Sequence, residues 1–175
     1  MNAVRSPKAS IAFSALWLTA GVSFAGLIAK FEGSELLIQD GSKIIRLEKQ
    51  VDDHAIYKTI HSALRRGKEY YVVYGTSEWT RGWPPRGGNC GSGIESYIRW
   101  LHVREGKIVA QDEGLFESCR ENREGWSVSW EAGCLRWMSQ NSVRMLKDNK
   151  ESFTNSNLVW IFDPAQPETG ILRRE

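Results

Sequence analysis

The sequence predicts an α+β fold: a mainly antiparallel β-sheet, a meander of about six to eight strands, with one helix packed on it. Three observations predict it. Short apolar runs rich in Val, Ile, Tyr and Trp recur between residues 34 and 163. Their connections, "EG" at 105–106, "ENREG" at 121–125 and "EAGC" at 131–134, are too short to return a parallel strand. One segment alone, "DDHAIYKTIHSALRRG" at 52–67, carries helical spacing.

The elements follow in order. "MNAVRSPK" holds Arg5 and Lys8 and no acid, and the apolar or small run "ASIAFSALWLTAGVSFA" follows. That is the pattern of a secretory signal, with Ser23 and Ala25 at the small-residue positions of a cut after Ala25. The expected organisation is therefore a signal peptide at 1–25 and a single β-rich domain at 26–175. The expected location is the periplasm or the exterior, with no stable membrane insertion after cleavage. An uncleaved anchor is the alternative, although the apolar run is short for a bilayer and diluted by Ser10, Ser14, Thr19 and Ser23.

"SELLIQ" and "SKIIRLE" flank Asp40-Gly41, which predicts a hairpin. The predicted helix starts at Asp52 or Asp53, ends at Arg65, Arg66 and Gly67, and places Ile56, Ile60, Ala63 and Leu64 on one stripe. Strands are predicted at 69–79, 94–104, 107–119, 126–130, 135–140 and 157–163. Residues 141–156 read as either strand or turn, and the tail from Pro164 as irregular. The strand at 94–104 is apolar on both of its faces, so it should be central and covered twice.

Composition narrows the function. The chain carries 23 basic and 21 acidic residues, for a net charge of +2. Losing Arg5 and Lys8 with the signal brings the remainder close to neutral, which argues against a nucleic-acid partner. The three cysteines are Cys90, Cys119 and Cys134. If Glu105-Gly106 is a two-residue turn, Arg104 faces Lys107. An unbroken ladder then sets Cys119 opposite Ser92, two residues from Cys90. A Cys90–Cys119 disulfide is therefore expected, and export makes it chemically permissible. Cys134, opposite Glu131 across the Ala132-Gly133 turn, should be unpaired and packed as a small hydrophobe, the alternative being a reactive thiol. No close-spaced ligand pairs suit zinc, and no metal or other cofactor is expected.

Catalytic signals are thin. His54 and His61 lie seven apart on the predicted helix, too far to share one ion, and read as solvated. His102, in mid-strand, reads as packed or hydrogen-bonded. "GGNCGSG" precedes a strand rather than a helix, which excludes a nucleotide cradle. Asp112, Glu113 and Glu117 could act as acid and base, and Cys90 with His102 as a thiol pair. Trp126, Trp130 and Trp137 read as core. Binding is the better-supported class. "RGWPPRGGNCGSG" follows Trp79, so Trp79, Arg81, Trp83 and Arg86 share one short loop stiffened by proline. Tryptophan and arginine concentrate interface energy, and a stiffened loop loses less entropy on association. For Trp79 the competing reading is a small local core beneath the loop.

In size and export signal the chain is similar to small exported inhibitors such as the periplasmic lysozyme inhibitors, which implies a protein partner. The expectation is an exported, non-catalytic binding protein that acts on an envelope enzyme or toxin through residues 79–93. The alternatives are a small secreted hydrolase, using a carboxylate pair or Cys90, and an envelope structural protein held by its N-terminus.

Overall fold

The computed structural model describes residues 26–51, 55–79, 93–118, 121, 123–147 and 150–174. Among these residues eleven strands run antiparallel in two sheets. The first sheet holds β1 (Leu27–Glu32), β2 (Glu35–Asp40) and β3 (Lys43–Leu47). The second is an eight-stranded meander in chain order. It comprises β4 (Tyr57–Arg66), β5 (Glu69–Trp79), β6 (Ile94–Arg104), β7 (Lys107–Ser118), β8 (Arg123–Glu131), β9 (Cys134–Lys147), β10 (Lys150–Phe162) and β11 (Leu172–Arg174). It curls into a half-barrel. Among the described residues, strands β7 and β8 pair only at Ser118↔Arg123, so the sheet opens there into two wings that fold toward each other.

The predicted helix does not form, and the expected α+β class gives way to an almost wholly β fold. Residues 57–66 are strand β4, and the only helical element among the described residues is a 3-10 turn at Pro167–Thr169. A bulge explains the misleading spacing. The β4–β5 register shifts between Ile60 and Ser62, leaving His61 as the extra residue. Ile60 opposite Tyr74 and Ala63 opposite Val72 therefore face the same way, three residues apart, which imitates a helical step. Leu64 faces the other layer, and Ile56 is exposed rather than part of a stripe. Gly67, the expected helix terminator, instead takes φ +60° in the β4–β5 turn. Asp52, Asp53 and His54 lie outside the described residues.

The layer expected from a helix comes from the first sheet. Leu36, Ile38, Ile45 and Leu47 from that sheet pack on Tyr70, Val72, Tyr74, Leu101 and Val103 of β5 and β6. Each such aliphatic side chain contributes roughly 1.5–3 kcal/mol when fully buried. A polar clamp fixes the two sheets together. Asp40 accepts from Tyr70 Oη at 2.9 Å and from Arg65, while Lys43 lies 5.2 Å over the Tyr70 ring. The opposite face of β5 and β6 presents Tyr71, Val73, Ile98 and Trp100 to Leu135, Trp137, Trp160 and Phe162 of the far wing. Strand β6 is thus central and covered on both faces, as its sequence predicts, with sheet rather than helix as one cover.

Strands β5 and β6 match their predicted ranges. Glu105 and Gly106 both take positive φ, as do Ala132 and Gly133, the signature of tight two-residue hairpin turns. In the β2–β3 hairpin the turn is Gly41-Ser42 rather than Asp40-Gly41, because Asp40 pairs with Lys43. β1 was not anticipated, and in the ambiguous stretch residues 141–147 belong to β9 and pair with residues 150–156 of β10. The tail is tied down rather than loose: Arg66 donates to the carbonyls of Pro164 and Ala165, and Trp100 Nε1 donates to the Pro167 carbonyl at 2.9 Å.

One register differs in a way that matters. Shifts at Ser96/Tyr97 and His102/Val103 interrupt the β6–β7 ladder, so Ser118 faces Glu95 rather than Gly93. The unbroken ladder that set Cys119 opposite Ser92 does not exist, because each bulge adds one residue to β7. Cys90 and Cys119 themselves lie outside the described residues.

Candidate functional site

The binding residues expected from sequence mark one end of the β5–β6 hairpin. Trp79 is the last residue of β5, is half-buried, and pairs with Ile94, the first of β6. Arg81, Trp83 and Arg86 lie outside the described residues. The paired ends of β5 and β6 form the platform from which that loop leaves.

Alternation along the strands divides the platform into two faces. On the face shared with the first sheet, Tyr74, Thr76 and Glu78 of β5 stand beside Arg99, Tyr97 and Glu95 of β6. The first sheet covers the Tyr74 end, and past its edge the face turns polar. Arg99 is the centre. Its Nε donates to Glu113 at 2.6 Å, and its Nη1 donates to Glu78 at 2.6 Å and to Thr76 at 2.8 Å. Its guanidinium lies 4.9 Å over the Tyr97 ring. Burial works against the charge on Arg99, but the hydrogen bonds to Glu78 and Glu113 outweigh it and hold the group above its ordinary pKa. Tyr97 donates to Glu95 at 2.8 Å, and burial followed by that carboxylate pushes its phenol upward. Ser118 donates to the other oxygen of Glu95 at 3.2 Å.

On the concave face, Ser77, Ser96 and Glu117 form a row across three strands. Ser77 Oγ and Ser96 Oγ are 2.9 Å apart, and Ser96 donates to Glu117 at 3.0 Å. The rim therefore consists of groups that already hold one another, which fixes its shape before any partner arrives.

The carboxylates considered for acid–base work are each engaged. Asp112 accepts from the Glu113 and Ile171 backbone N–H groups, Glu113 from Arg99, and Glu117 from Ser96. His102 is hydrogen-bonded, as its sequence context predicts. Its Nε2 sits 3.0 Å from Glu69, and its ring stacks on Tyr71 with centroids 4.5 Å apart. Glu69 also accepts from Tyr71 Oη and Arg104, and these bonds, that from Tyr71 first, hold its carboxyl below the usual range. His61 is not on a helix. The bulge turns it onto the concave face, with its ring 5.4 Å from that of Trp137, and burial pushes its pKa down to about 4. Cys134 is a free, half-buried thiol opposite Glu131. Trp137 is core as expected, whereas Trp130 is partly exposed and lines a cavity of about 350 Å³ with Leu64, Arg66 and Pro164. The side chain of Trp126 lies outside the description.

Sequence reading missed the Arg99 cluster. Its signal was present: an arginine within a strand otherwise apolar enough to be central, with Tyr97 and Glu95 on the same face two and four residues earlier. Among the described residues, no three His, Cys, Asp or Glu converge as metal ligands, and no helix is long and apolar enough to cross a membrane. No protein family, curated protein or solved structure matches the chain.

Proposed function

We propose that the chain is an exported binding protein that presents the 79–93 loop to a protein partner, an envelope enzyme or a toxin. The observation that carries this reading is the anchoring of the loop. Its two ends, Trp79 and Ile94, are the closing pair of the hairpin whose middle is buried between both layers of the fold. A loop so mounted starts from fixed ends, and the interlocked groups around Arg99 keep its footing rigid. Tryptophan and arginine in such a loop supply the residue types that dominate interface energetics. Export is supported by the leader pattern of residues 1–25. A Cys90–Cys119 bridge belongs to the proposal and rests on the oxidising compartment that export implies.

The test is capture by immobilised protein spanning residues 26–175, compared with the double variant Trp83→Ala/Arg86→Ala. Expected is a partner retained by the first and lost by the second. Equal recovery of every partner by both forms removes the loop from the account. Thiol alkylation and intact mass of protein taken from its native compartment check the bridge: one labelled cysteine supports it, three refute it.

A further inference from the structure

At the Glu69 end of β5, opposite the end from which the loop leaves, the two wings of the half-barrel leave a space between them. β4 is the outermost strand of the sheet there, with no strand paired on its outer side among the described residues. After the bulge, Ser62, Leu64 and Arg66 share the face that looks toward the far wing. Across from them stand Trp130 and Gly133 of the β8–β9 hairpin and Pro164 beyond β10, and the space enclosed is a cavity of about 350 Å³. Trp130 marks where the packing stops. It pairs with Leu135, which is 2% exposed, yet its own side chain remains 37% exposed. A tryptophan on an inward face carries a large apolar area that favours cover, and here the cover supplied by the chain ends.

The walls are chiefly apolar, and one cation stands among them. Arg66 Nη2 donates to the Pro164 and Ala165 carbonyls at 3.2 and 2.5 Å, which ties the tail to β4 and holds the cavity open at a fixed width. Its Nη1 has only the Glu168 carboxylate, 3.8 Å away and too long for a hydrogen bond, and both side chains are about half exposed. Arg65 also borders the cavity, but its guanidinium is taken by Asp40. At about 30 Å³ per water-sized group, the volume holds about a dozen non-hydrogen atoms, at the small end of ligand cavities. We infer that the cavity is a binding site for a small amphiphilic monocarboxylate of about ten non-hydrogen atoms, its apolar body between Leu64 and Trp130 and its head on Arg66 Nη1 in place of Glu168. A phosphate monoester is disfavoured, because its nearly double charge would meet one guanidinium already shared with two carbonyls. A neutral body of the same shape gains the apolar contacts and nothing from the cation.

The probes are butanoate, hexanoate, octanoate and dodecanoate, with octanol and octyl phosphate as contrasting ligands. The readout is the NMR signal of the Trp130 indole N–H in the full chain, assigned with Trp130→Phe. Expected is saturable movement with octanoate, an affinity that tightens about fourfold per methylene up to octanoate, and no further gain at dodecanoate once the cavity is full. Octanol and octyl phosphate should each bind roughly tenfold more weakly than octanoate. Arg66→Gln should weaken octanoate roughly tenfold and leave octanol unchanged. Because Arg66 also ties down the tail, a second variant carries the test independently of folding: Glu168→Gln, which lies outside the cavity wall and removes the competing carboxylate, should tighten octanoate several-fold. The inference is overturned if octanoate fails to saturate, if affinity climbs on through dodecanoate, if octanol or octyl phosphate binds as tightly as octanoate, or if Glu168→Gln leaves octanoate affinity unchanged. The 79–93 loop takes no part in this titration, so its outcome is independent of partner capture.

Discussion

His61 should make the protein sensitive to mild acid. The bulge in β4 places its ring against Trp137 and directly above Gly75, where an added Cβ would lie 2.8 Å from Nε2. Burial lowers its pKa from 6.5 to about 4. The sign follows from proton linkage: between those two values the unfolded chain binds a proton that the folded protein refuses. The contribution is fully present above pH 6.5 and is lost as pH falls toward 4. At about 1.4 kcal/mol per pH unit, the loss by pH 4 is about 3 kcal/mol, a large share of a typical domain's stability. The perturbation is His61→Gln, which keeps a neutral polar side chain of similar reach and cannot titrate. Urea unfolding followed by tryptophan fluorescence, at intervals from pH 7 to pH 4, gives the free energy of each form. Glu69 and Asp40, whose carboxyls are held below their ordinary range, also weaken the fold in acid, but they do so in both proteins and cancel in the difference. Expected is a loss about 3 kcal/mol greater in the parent than in His61→Gln. Parallel pH profiles would refute the reasoning and show His61 to be solvated.

Arg99→Met should destabilise by about 2 kcal/mol, because it leaves Glu78 and Glu113 side by side without their shared cation; urea unfolding at pH 7 measures it. Trp100→Phe keeps an aromatic ring but removes the bond to the Pro167 carbonyl and shrinks a buried side chain, so it should cost more than the about 1 kcal/mol of the bond alone, and hydrogen exchange at residues 167–171 should quicken more than exchange in β5. Gly125→Ala should cost about 1–3 kcal/mol by overpacking, since its Cβ would fall 2.5 Å from the Phe116 ring; a Tm unchanged within error would contradict the close approach.

The correction at β4 shows how local pattern can mislead. A period-two pattern identifies a strand when one face is wet and the strand is unbroken. β4 satisfies neither condition, since Ile60 and Ala63 face the first sheet, Leu64 faces the far wing, and His61 breaks the period between them. The two arginines at the end of the predicted helix have tertiary partners instead: Arg65 reaches Asp40, and Arg66 reaches the tail carbonyls. The Arg99 cluster was hidden for a related reason. Its members come from three strands and meet only once register is set, and bulges in β7 move that register by one residue each.

What the sequence alone determined is the antiparallel meander, the ranges of β5 and β6, the tight turns at 105–106 and 132–133, and the centrality of β6. All of these depend on neighbours along the chain or on one short loop. Tertiary structure alone decided that β4 is a strand, that a small sheet rather than a helix covers the core, which carboxylates Arg99 gathers, and that His61 and Trp137 meet. The physical reason is that a bulge costs the local pattern one residue and is stabilised only by the two layers that close over it, a condition that residues distant in sequence supply.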